Sequence, residues 1–573
     1  MSKKIHLVCC CLLVLVCDAS WQASTPDSPT YRAAVVEYHP VTNGDDGDMI
    51  AQANANNYRT IIKDAALHGA DIIVFPEFGL TSLPKDGPAE KVFSPEEYRA
   101  YYRNTASYIP HPNETVVLCD TDSKYSGYLQ SISCAAREYG LYVVINLQER
   151  VDCASSEDHC PADGFLLYNS NCVFDRKGRV VARYRKYNPF NEPGTNVTAE
   201  PEVATFDTDF GVRFGTFICF DVLNEAPAMS FVRDNRVRDV VFTTHWFNEL
   251  PFLDASQHFA AWSYAADVNF LVAGYSDDLT ASGGSGVYAG RRGPLKIYNP
   301  RRTSNALSVV EVPKVDGPYR RPVLGHELFS YEHVYKQAEV STITELYLPN
   351  RTSMVAEPFR DYLDVYTSKL LEPEGTSHIT TLCDRGLCCD FHLELSYNKS
   401  VLEANPGAVE YKYRLVAFNG TRNFGNASTG GIEVCALISC AGDRIEDCGA
   451  IHDPNSTKIV YPMSFDSLII SRRANLSKSS FYMPNTMDFR TLEPMSGSRD
   501  FAYLPSGPKE SSLLMMYLVQ PRRDAMTFGI YGRVFGRDGH EETRLPSAAT
   551  STTSVSTLLV ISSLLLALVL QSK

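Results

Sequence analysis

Residues 71–77 read Asp71-Ile72-Ile73-Val74-Phe75-Pro76-Glu77, a short apolar run closed by a proline and a carboxylate. A run of this length between turn signals reads as a buried strand. Before it, residues 48–68 carry a helix period that stops at Gly69, and residues 31–39 read as another strand. Strand, helix, strand is the order of a parallel sheet with a covering helix. The alternation continues outward. A helix pattern at 128–139 closes on Gly140, and strands follow at 141–147, 165–174 and 180–185, the last two joined by Asp175-Arg176-Lys177-Gly178. A strand at 212–218, a helix from about 227, a strand at 240–244, a helix at 255–266 and a strand at 270–275 complete the series. Residues 30–320 therefore read as layered sheets with helices outside.

The chain has 573 residues, 44% apolar and 21% charged, with a net charge of −14. That composition is globular and excludes a disordered, collagenous or polytopic membrane chain. No basic run offers a surface to nucleic acid, so no nucleic-acid partner is expected. At roughly 150 residues per domain, the length allows more than one. After about residue 322 the helix periods fade. Alternating apolar runs at 411–418, 432–438, 514–519 and 528–534 replace them, together with half of the cysteines outside the leader and six of the glycosylation sequons. Residues 321–545 read as a smaller, β-rich, disulfide-stapled second domain.

Both ends carry processing signals. Lys3 and Lys4 precede an apolar stretch at 5–17 and small residues around Asp18-Ala19, the pattern of a secretory signal peptide over residues 1–19. The alternative, a membrane anchor, needs more than these about 13 apolar residues. At the other end, Ser547-Ala548-Ala549 is followed by a polar spacer at 550–557 and an apolar segment at 558–570. This order is that of a glycosylphosphatidylinositol (GPI) attachment signal spanning 547–573, with Ser547 as the lipid-bearing residue. The rival, a transmembrane helix, needs a longer apolar run and basic cytoplasmic flanks. The expected location is the extracellular face of the plasma membrane, with a secreted form as the variant.

Twelve of the sixteen cysteines lie outside the leader: Cys119, Cys134, Cys153, Cys160, Cys172, Cys219, Cys383, Cys388, Cys389, Cys435, Cys440 and Cys448. An oxidising compartment pairs most of them. A zinc site at Cys383, Cys388 and Cys389 with His378 and His392 is the competing reading, but the spacing is not that of a common zinc motif. Eight Asn-x-Ser/Thr sequons start at Asn113, Asn196, Asn350, Asn398, Asn419, Asn426, Asn455 and Asn475, marking a surface glycoprotein.

Three polar residues stand at strand ends: Glu77 after 72–76, Lys186 after 180–185 and Cys219 after 214–218. Ligand sites of layered α/β sheets gather where strands end. Singly, each has an ordinary explanation as a solvated loop carboxylate, a surface cation or a core thiol. Together they are the parts of an acyl transfer site. A thiolate attacks a carbonyl, and a neighbouring cation lowers the thiol pKa. A carboxylate moves the proton. The lysine and the backbone N–H after Cys219 hold the oxyanion.

Pro76-Glu77, Tyr184-Arg185-Lys186 and Gly215-Thr216-Phe217-Ile218-Cys219-Phe220-Asp221 resemble the Glu, Lys and Cys motifs of the nitrilase superfamily. Tyr184-Arg185-Lys186-Tyr187-Asn188, residues 206–215, Asp267-Val268-Asn269-Phe270-Leu271 and Gly284-Ser285-Gly286-Val287-Tyr288-Ala289 look like its biotinidase/vanin branch. The resemblance implies an αββα sandwich with Glu77 as proton acceptor, Lys186 as oxyanion stabiliser and Cys219 as nucleophile. It also implies a linear amide as small-molecule substrate, with no metal or organic cofactor. Vanins cleave pantetheine to pantothenate and cysteamine; biotinidases cleave biocytin and biotin amides. Val222-Leu223-Asn224-Glu225-Ala226-Pro227 and Thr244-His245-Trp246 depart from that branch and are expected to border the acyl pocket. A catalytically silent surface glycoprotein on the same fold is the reading from a different class, and the intact Glu77, Lys186 and Cys219 argue against it. With Cys219 kept free, eleven cysteines remain. Cys134, within a helix pattern beside Ala135-Ala136, is the expected second free thiol, which leaves five disulfides.

Overall fold

The computed structural model describes residues 22–544 apart from 43–45, 83–92, 122–123, 155, 158, 234–236, 316–326, 337–357, 374, 426, 453–456, 477–478 and 498. The expected leader, the expected tail with Ser547, and the sequons at Asn350, Asn426 and Asn455 lie outside the described residues.

Fourteen strands build two sheets and a short interdomain ladder in the first part of the chain: β1 Thr30–Glu37, β2 Ile72–Val74, β3 Tyr142–Asp152, β4 Phe165–Phe174, β5 Val180–Arg185, β6 Ala204–Asp207, β7 Arg213–Ile218, β8 Asp239–Thr244, β9 Glu249–Leu250, β10 Asn269–Gly274, β11 Ser285–Ala289, β12 Pro294–Tyr298, β13 Ala306–Pro313 and β14 Ser330–Val334. The first sheet runs β14-β13-β1-β2-β3-β4-β5 and the second β12-β11-β10-β8-β7-β6. Each has a parallel centre, β1-β2-β3 and β10-β8-β7, with antiparallel flanks. Parallel strands need both faces covered. Here the inner faces cover each other: Val35, Ile72, Val74 and Val144 of the first sheet share one core with Phe214, Val241, Leu271 and Val287 of the second.

The outer face of the first sheet is covered by α1 (Gly47–Leu67) and α3 (Gly127–Tyr139). Between them in sequence lies α2 (Pro95–Thr105), which starts on a capping box of Ser94 and Glu97. In α1, Asp46 accepts the Asp48 N–H as N-cap, and Ile50, Tyr58, Ile61, Ile62 and Ala65 form the buried stripe. α3 ends on Gly140 at φ 68°, a left-handed cap that only glycine adopts without strain. The second sheet carries α4 (Ala228–Arg233) and α5 (Ala255–Ala266). The order is helix, sheet, sheet, helix: the expected αββα sandwich.

The C-terminal part is two five-stranded antiparallel sheets packed face to face. One is ordered Thr367–Leu370, Lys412–Phe424, Ser428–Cys440, Ala525–Val534, Ser480–Asp488; the other Ser377–Asp384, Leu387–Tyr397, Met463–Ala474, Ser512–Leu518, Phe501–Ser506. Leu387–Tyr397 alternates buried and exposed residues along its length, with Phe391, Leu393 and Leu395 turned into the core. The disulfide Cys389–Cys435 joins the two sheets across that core.

The first of these sheets is buried on both faces. Its outer side chains, among them Ile432, Val434, Ala436 and Tyr531, share a core with Phe259 and Trp262 of α5. α5 is therefore buried almost all round, as its composition of Ala, Phe and Trp requires. One of its polar members is held across the junction: Gln257 Nε2 donates to Asn485 Oδ1 at 2.7 Å, and Asn485 Nδ2 in turn donates to the Phe252 carbonyl at 2.9 Å.

Disulfides join Cys119–Cys134, Cys153–Cys160, Cys383–Cys388, Cys389–Cys435 and Cys440–Cys448. The cluster at 383–389 is thus disulfide-bonded. Among the described residues the free thiols are Cys219 and Cys172, both buried. This corrects the reading of Cys134 as free. Cys134 lies on the flank of α3 that meets the 3-10 turn Leu118–Asp120, within 4.9 Å (Cα–Cα) of Cys119, whereas Cys172 points from β4 into the helix-covered core. Asn113 and Asn398 are exposed; Asn196, Asn419 and Asn475 are half-buried.

Candidate active site

Lys186 and Cys219 follow β5 and β7 directly and Glu77 stands three residues past the end of β2, so the strand ends of both sheets deliver them to one edge of the sandwich. All three are buried. Lys186 Nζ donates to Glu77 Oε1 at 2.7 Å and to Glu192 Oε1 at 2.5 Å. Asn169 Nδ2 uses both hydrogens on the same pair, 2.8 Å to Glu77 Oε1 and 2.9 Å to Glu192 Oε2. The other oxygen of Glu77, Oε2, accepts the His245 N–H at 2.8 Å, and the Cys219 thiol lies 3.5 Å from the His245 carbonyl. The backbone of one residue, His245, thus touches both Glu77 and Cys219.

Behind this cluster a buried amide chain fixes the side chains. Asn146 Nδ2 donates to Asn169 Oδ1 at 2.6 Å, and Asn146 Oδ1 accepts the Phe78 N–H at 2.9 Å. β5 is clamped by Arg185, whose Nε and Nη2 grip buried Glu149 at 2.9 and 2.6 Å. Asp221 links the nucleophile turn to the lysine loop. It accepts from Ile218 N at 3.0 Å, Asn188 N at 3.0 Å, Asn188 Nδ2 at 2.8 Å and Tyr184 Oη at 2.7 Å. Burial lifts its carboxyl to about 6 against these donors.

Three backbone positions around the site are left-handed: Phe78 at φ 56°, Asn191 at φ 50° and Cys219 at φ 45°. Such residues cost roughly 1–3 kcal/mol each and persist only where the surroundings hold them. At Cys219 the sharp strand-to-turn junction lifts the thiol out of the sheet, the geometry used by nucleophile elbows.

Burial pushes the Glu77 carboxyl up, Lys186 opposes this and Glu192 adds to it. Burial alone depresses the Lys186 ammonium, but Glu192 and Glu77 outweigh it and hold it well above its ordinary value. The Cys219 thiol is raised, first by burial and then by Glu77, with Lys186 pulling the other way. The sequence reading made Lys186 the device that ionises the thiol. In the structure Lys186 acts on the thiol in that direction, but it is also bonded to two carboxylates, and burial and Glu77 outweigh it.

Sequence reasoning missed Glu192 and Asn169. Glu192 lies in the loop Asn188-Pro189-Phe190-Asn191-Glu192, where the signal was an acidic residue six positions past the lysine between turn-forming residues. Asn169 sits inside β4 and offered no signal. Of the two departing segments, Thr244-His245 does border the site. Leu223 turns its carbonyl away, to Arg533 of the C-terminal sheet at 2.7 Å.

The family model described as Carbon-nitrogen hydrolase matches residues 32–255, and the one described as Vanin C-terminal domain matches 358–538. Fold and site therefore define a carbon-nitrogen hydrolase of the nitrilase superfamily, an enzyme acting on amides. Vanin-like protein 1 of Drosophila melanogaster is 32% identical over 93% of this chain and 92% of its own length. Vanin-like protein 3 of the same organism is 32% identical over 88% and 89%, and Pantetheinase of Bos taurus 28% identical over 82% and 87%. The chain belongs to the vanin family.

Proposed function

We propose that the chain hydrolyses the linear amide of pantetheine to pantothenate and cysteamine through a thioester on Cys219. The observation that carries this reading is the buried Glu77–Lys186–Cys219 constellation in a chain alignable over most of its length with relatives named pantetheinase. Glu77 takes the thiol proton as the sulfur attacks the amide carbon, and the developing oxyanion is held by Lys186 Nζ and a backbone N–H of the nucleophile turn. Protonated Glu77 then gives its proton to the departing amine, leaving the acyl group on sulfur. Water, deprotonated by Glu77, attacks the thioester; the acid leaves and the thiol is restored. Every step uses side chains of this chain and water.

The test is release of cysteamine from pantetheine by the purified ectodomain, with biocytin as the competing substrate and Cys219→Ala as control. Turnover of biocytin in preference to pantetheine, or turnover that survives Cys219→Ala, overturns it.

For the rest of the chain we infer a catalytic domain at 30–320 that takes in β14 (Ser330–Val334) as its edge strand, a β-rich domain over the remainder of 321–545, a leader at 1–19 and lipid attachment at Ser547, with the enzyme at the outer cell surface. Among the described residues no helix is long and apolar enough to cross a membrane. A phosphatidylinositol-specific phospholipase is expected to release active enzyme from cells. A tag placed after Lys573 that stays on the mature protein refutes the lipid anchor. Of the described sequons, Asn113 and Asn398 are the most accessible to glycan. Asn419 is engaged at both ends of its amide, Nδ2 to the Arg385 carbonyl at 2.8 Å and Oδ1 from Arg537 at 2.5 Å.

A further inference from the structure

The three left-handed residues around the site are not held by the same part of the chain. Phe78 is fixed by Asn146 of β3, through the 2.9 Å bond from its N–H. The turn at Cys219 is fixed by Asp221, which accepts the Ile218 N–H. Asn191, one residue before the lysine-binding Glu192, is fixed from the other domain: its Nδ2 donates to the Gly425 carbonyl at 2.9 Å. Gly425 lies just past the end of Lys412–Phe424, in the turn leading to Ser428–Cys440. It is itself left-handed at φ 53°, and an added Cβ would stand 2.5 Å from the Phe190 ring. The turn therefore touches the lysine loop with bare backbone at a place where a side chain does not fit.

The same turn meets the nucleophile side. The Phe424 ring is buried against Phe220, the residue after Cys219, with centroids 5.7 Å apart. Arg533 lies beside Phe424, its guanidinium carbon 5.4 Å from the ring centre, while its Nε holds the Leu223 carbonyl at the far end of the nucleophile turn. Phe424 also closes a chain of rings that passes each catalytic loop: Phe78–His245 at 6.3 Å, His245–Phe247 at 4.8 Å, Phe247–Phe190 at 5.8 Å and Phe190–Phe220 at 5.1 Å.

We propose that the Phe424-Gly425 turn of the C-terminal domain is a positioning element of the active site, which sets Glu192, and through it Lys186, against Glu77 and Cys219. Phe424, Gly425 and Asn191 are positioning residues that act through Phe220, Phe190 and Glu192. The proposal rests on the reading of Cys219 as nucleophile and extends it to a domain that supplies no catalytic side chain.

The test compares full-length Asn191→Gly, Phe424→Ala and Phe424→Leu with wild type. Asn191→Gly tolerates the left-handed backbone but loses the tether. Misplacement on the ångström scale costs up to ~10²-fold, so kcat is expected to fall ~10- to 100-fold in Asn191→Gly and Phe424→Ala, with KM changed less. Phe424→Leu, which refills most of the volume, should recover most of that loss. The acid limb of the pH–rate profile should move in both impaired variants, because the carboxylate pair around Lys186 is altered, while the melting temperature of Asn191→Gly stays near wild type and that of Phe424→Ala falls with the loss of a buried ring. Iodoacetamide alkylation of Cys219 against pH gives a second readout that needs no substrate. If both variants keep wild-type kcat and alkylation profile, the proposal fails. It fails equally if activity drops only in step with melting temperature and the pH profile does not move. If wild-type Cys219 is neither alkylated nor required for turnover, it is the nucleophile reading that fails.

Discussion

Glu192→Gln removes one of two negative charges from Lys186 and changes almost no volume. The carboxylates of Glu77 and Glu192 each contact the same ammonium nitrogen, at 2.7 and 2.5 Å. Their facing oxygens are then no more than about 5 Å apart, and at an effective dielectric of ~20 two unit charges at that distance repel by about 3 kcal/mol, roughly two pKa units. Glu192 pushes the Glu77 carboxyl up, so its neutralisation lets that carboxyl fall. The rising acid limb of kcat/KM reports ionisation of the base in free enzyme. It is expected to move to lower pH by at least one unit. The weaker base and a less constrained lysine together lower kcat/KM by ~10- to 100-fold at neutral pH. The assay is cysteamine release from pantetheine between pH 4 and 9. Glu192→Asp is the control: it keeps the charge, so it should lose activity with little movement of the limb. An acid limb in Glu192→Gln that stays in place, or moves to higher pH, refutes the electrostatic role given to Glu192.

Glu77→Gln should slow turnover by ~10²–10⁴-fold, and Lys186→Met at least as much; a lysine variant that retains near-wild-type kcat would remove the ammonium from oxyanion stabilisation. Asp221→Asn puts an amide where four donors converge, and a loss of about 2–3 kcal/mol is expected in denaturant unfolding; an unchanged midpoint would show that Asp221 does not lock the two loops. Glu37 is buried beside the Gly284 N–H and the Ser285 hydroxyl, and burial raises its carboxyl to about 8. A raised folded value means stability present below the unfolded value and lost as pH climbs toward 8. Wild type should therefore lose melting temperature from pH 5 to 8 more steeply than Glu37→Gln, and parallel curves would contradict this. Replacing Cys389 and Cys435 together by alanine removes the inter-sheet staple and should cost about 2–4 kcal/mol, read from the unfolding midpoint under non-reducing conditions.

Much of the site was legible in the sequence because the chemistry is local to strand ends. Ile72-Ile73-Val74 before Glu77 and Phe214 to Ile218 before Cys219 announce their strands by apolarity alone, and the break in apolarity marks the residue that the fold brings into the buried cluster. Asn169 was not legible, since a polar residue inside a strand looks like any solvent-facing position until its neighbours are known. Glu192 was hidden in a loop whose left-handed Asn191 is stabilised by Gly425, 234 positions away. The cysteines divide the same way. Their number pointed to five bridges and one further free thiol, but Cys134 and Cys172 exchange roles because helix orientation, not spacing, decides which thiol meets Cys119. In the C-terminal domain, the apolar runs 411–418, 432–438, 514–519 and 528–534 fall in strands except for the end residues Tyr411 and Val519. Their arrangement into two sheets depends on long-range pairing that no local period encodes.

The burial of α5 between two sheets has a consequence for how the protein is made. During synthesis the N-terminal domain emerges first. The sheet that covers α5 ends with Ala525–Val534, close to the last described residue. Until that strand arrives, Arg533 cannot cap the Leu223 carbonyl and Phe424 has no support beside Phe220. The nascent chain can carry all of its catalytic side chains and still be inactive, with an apolar flank available to folding helpers. Onset of turnover then reports completion of the last sheet, so amidase activity becomes a readout of C-terminal folding.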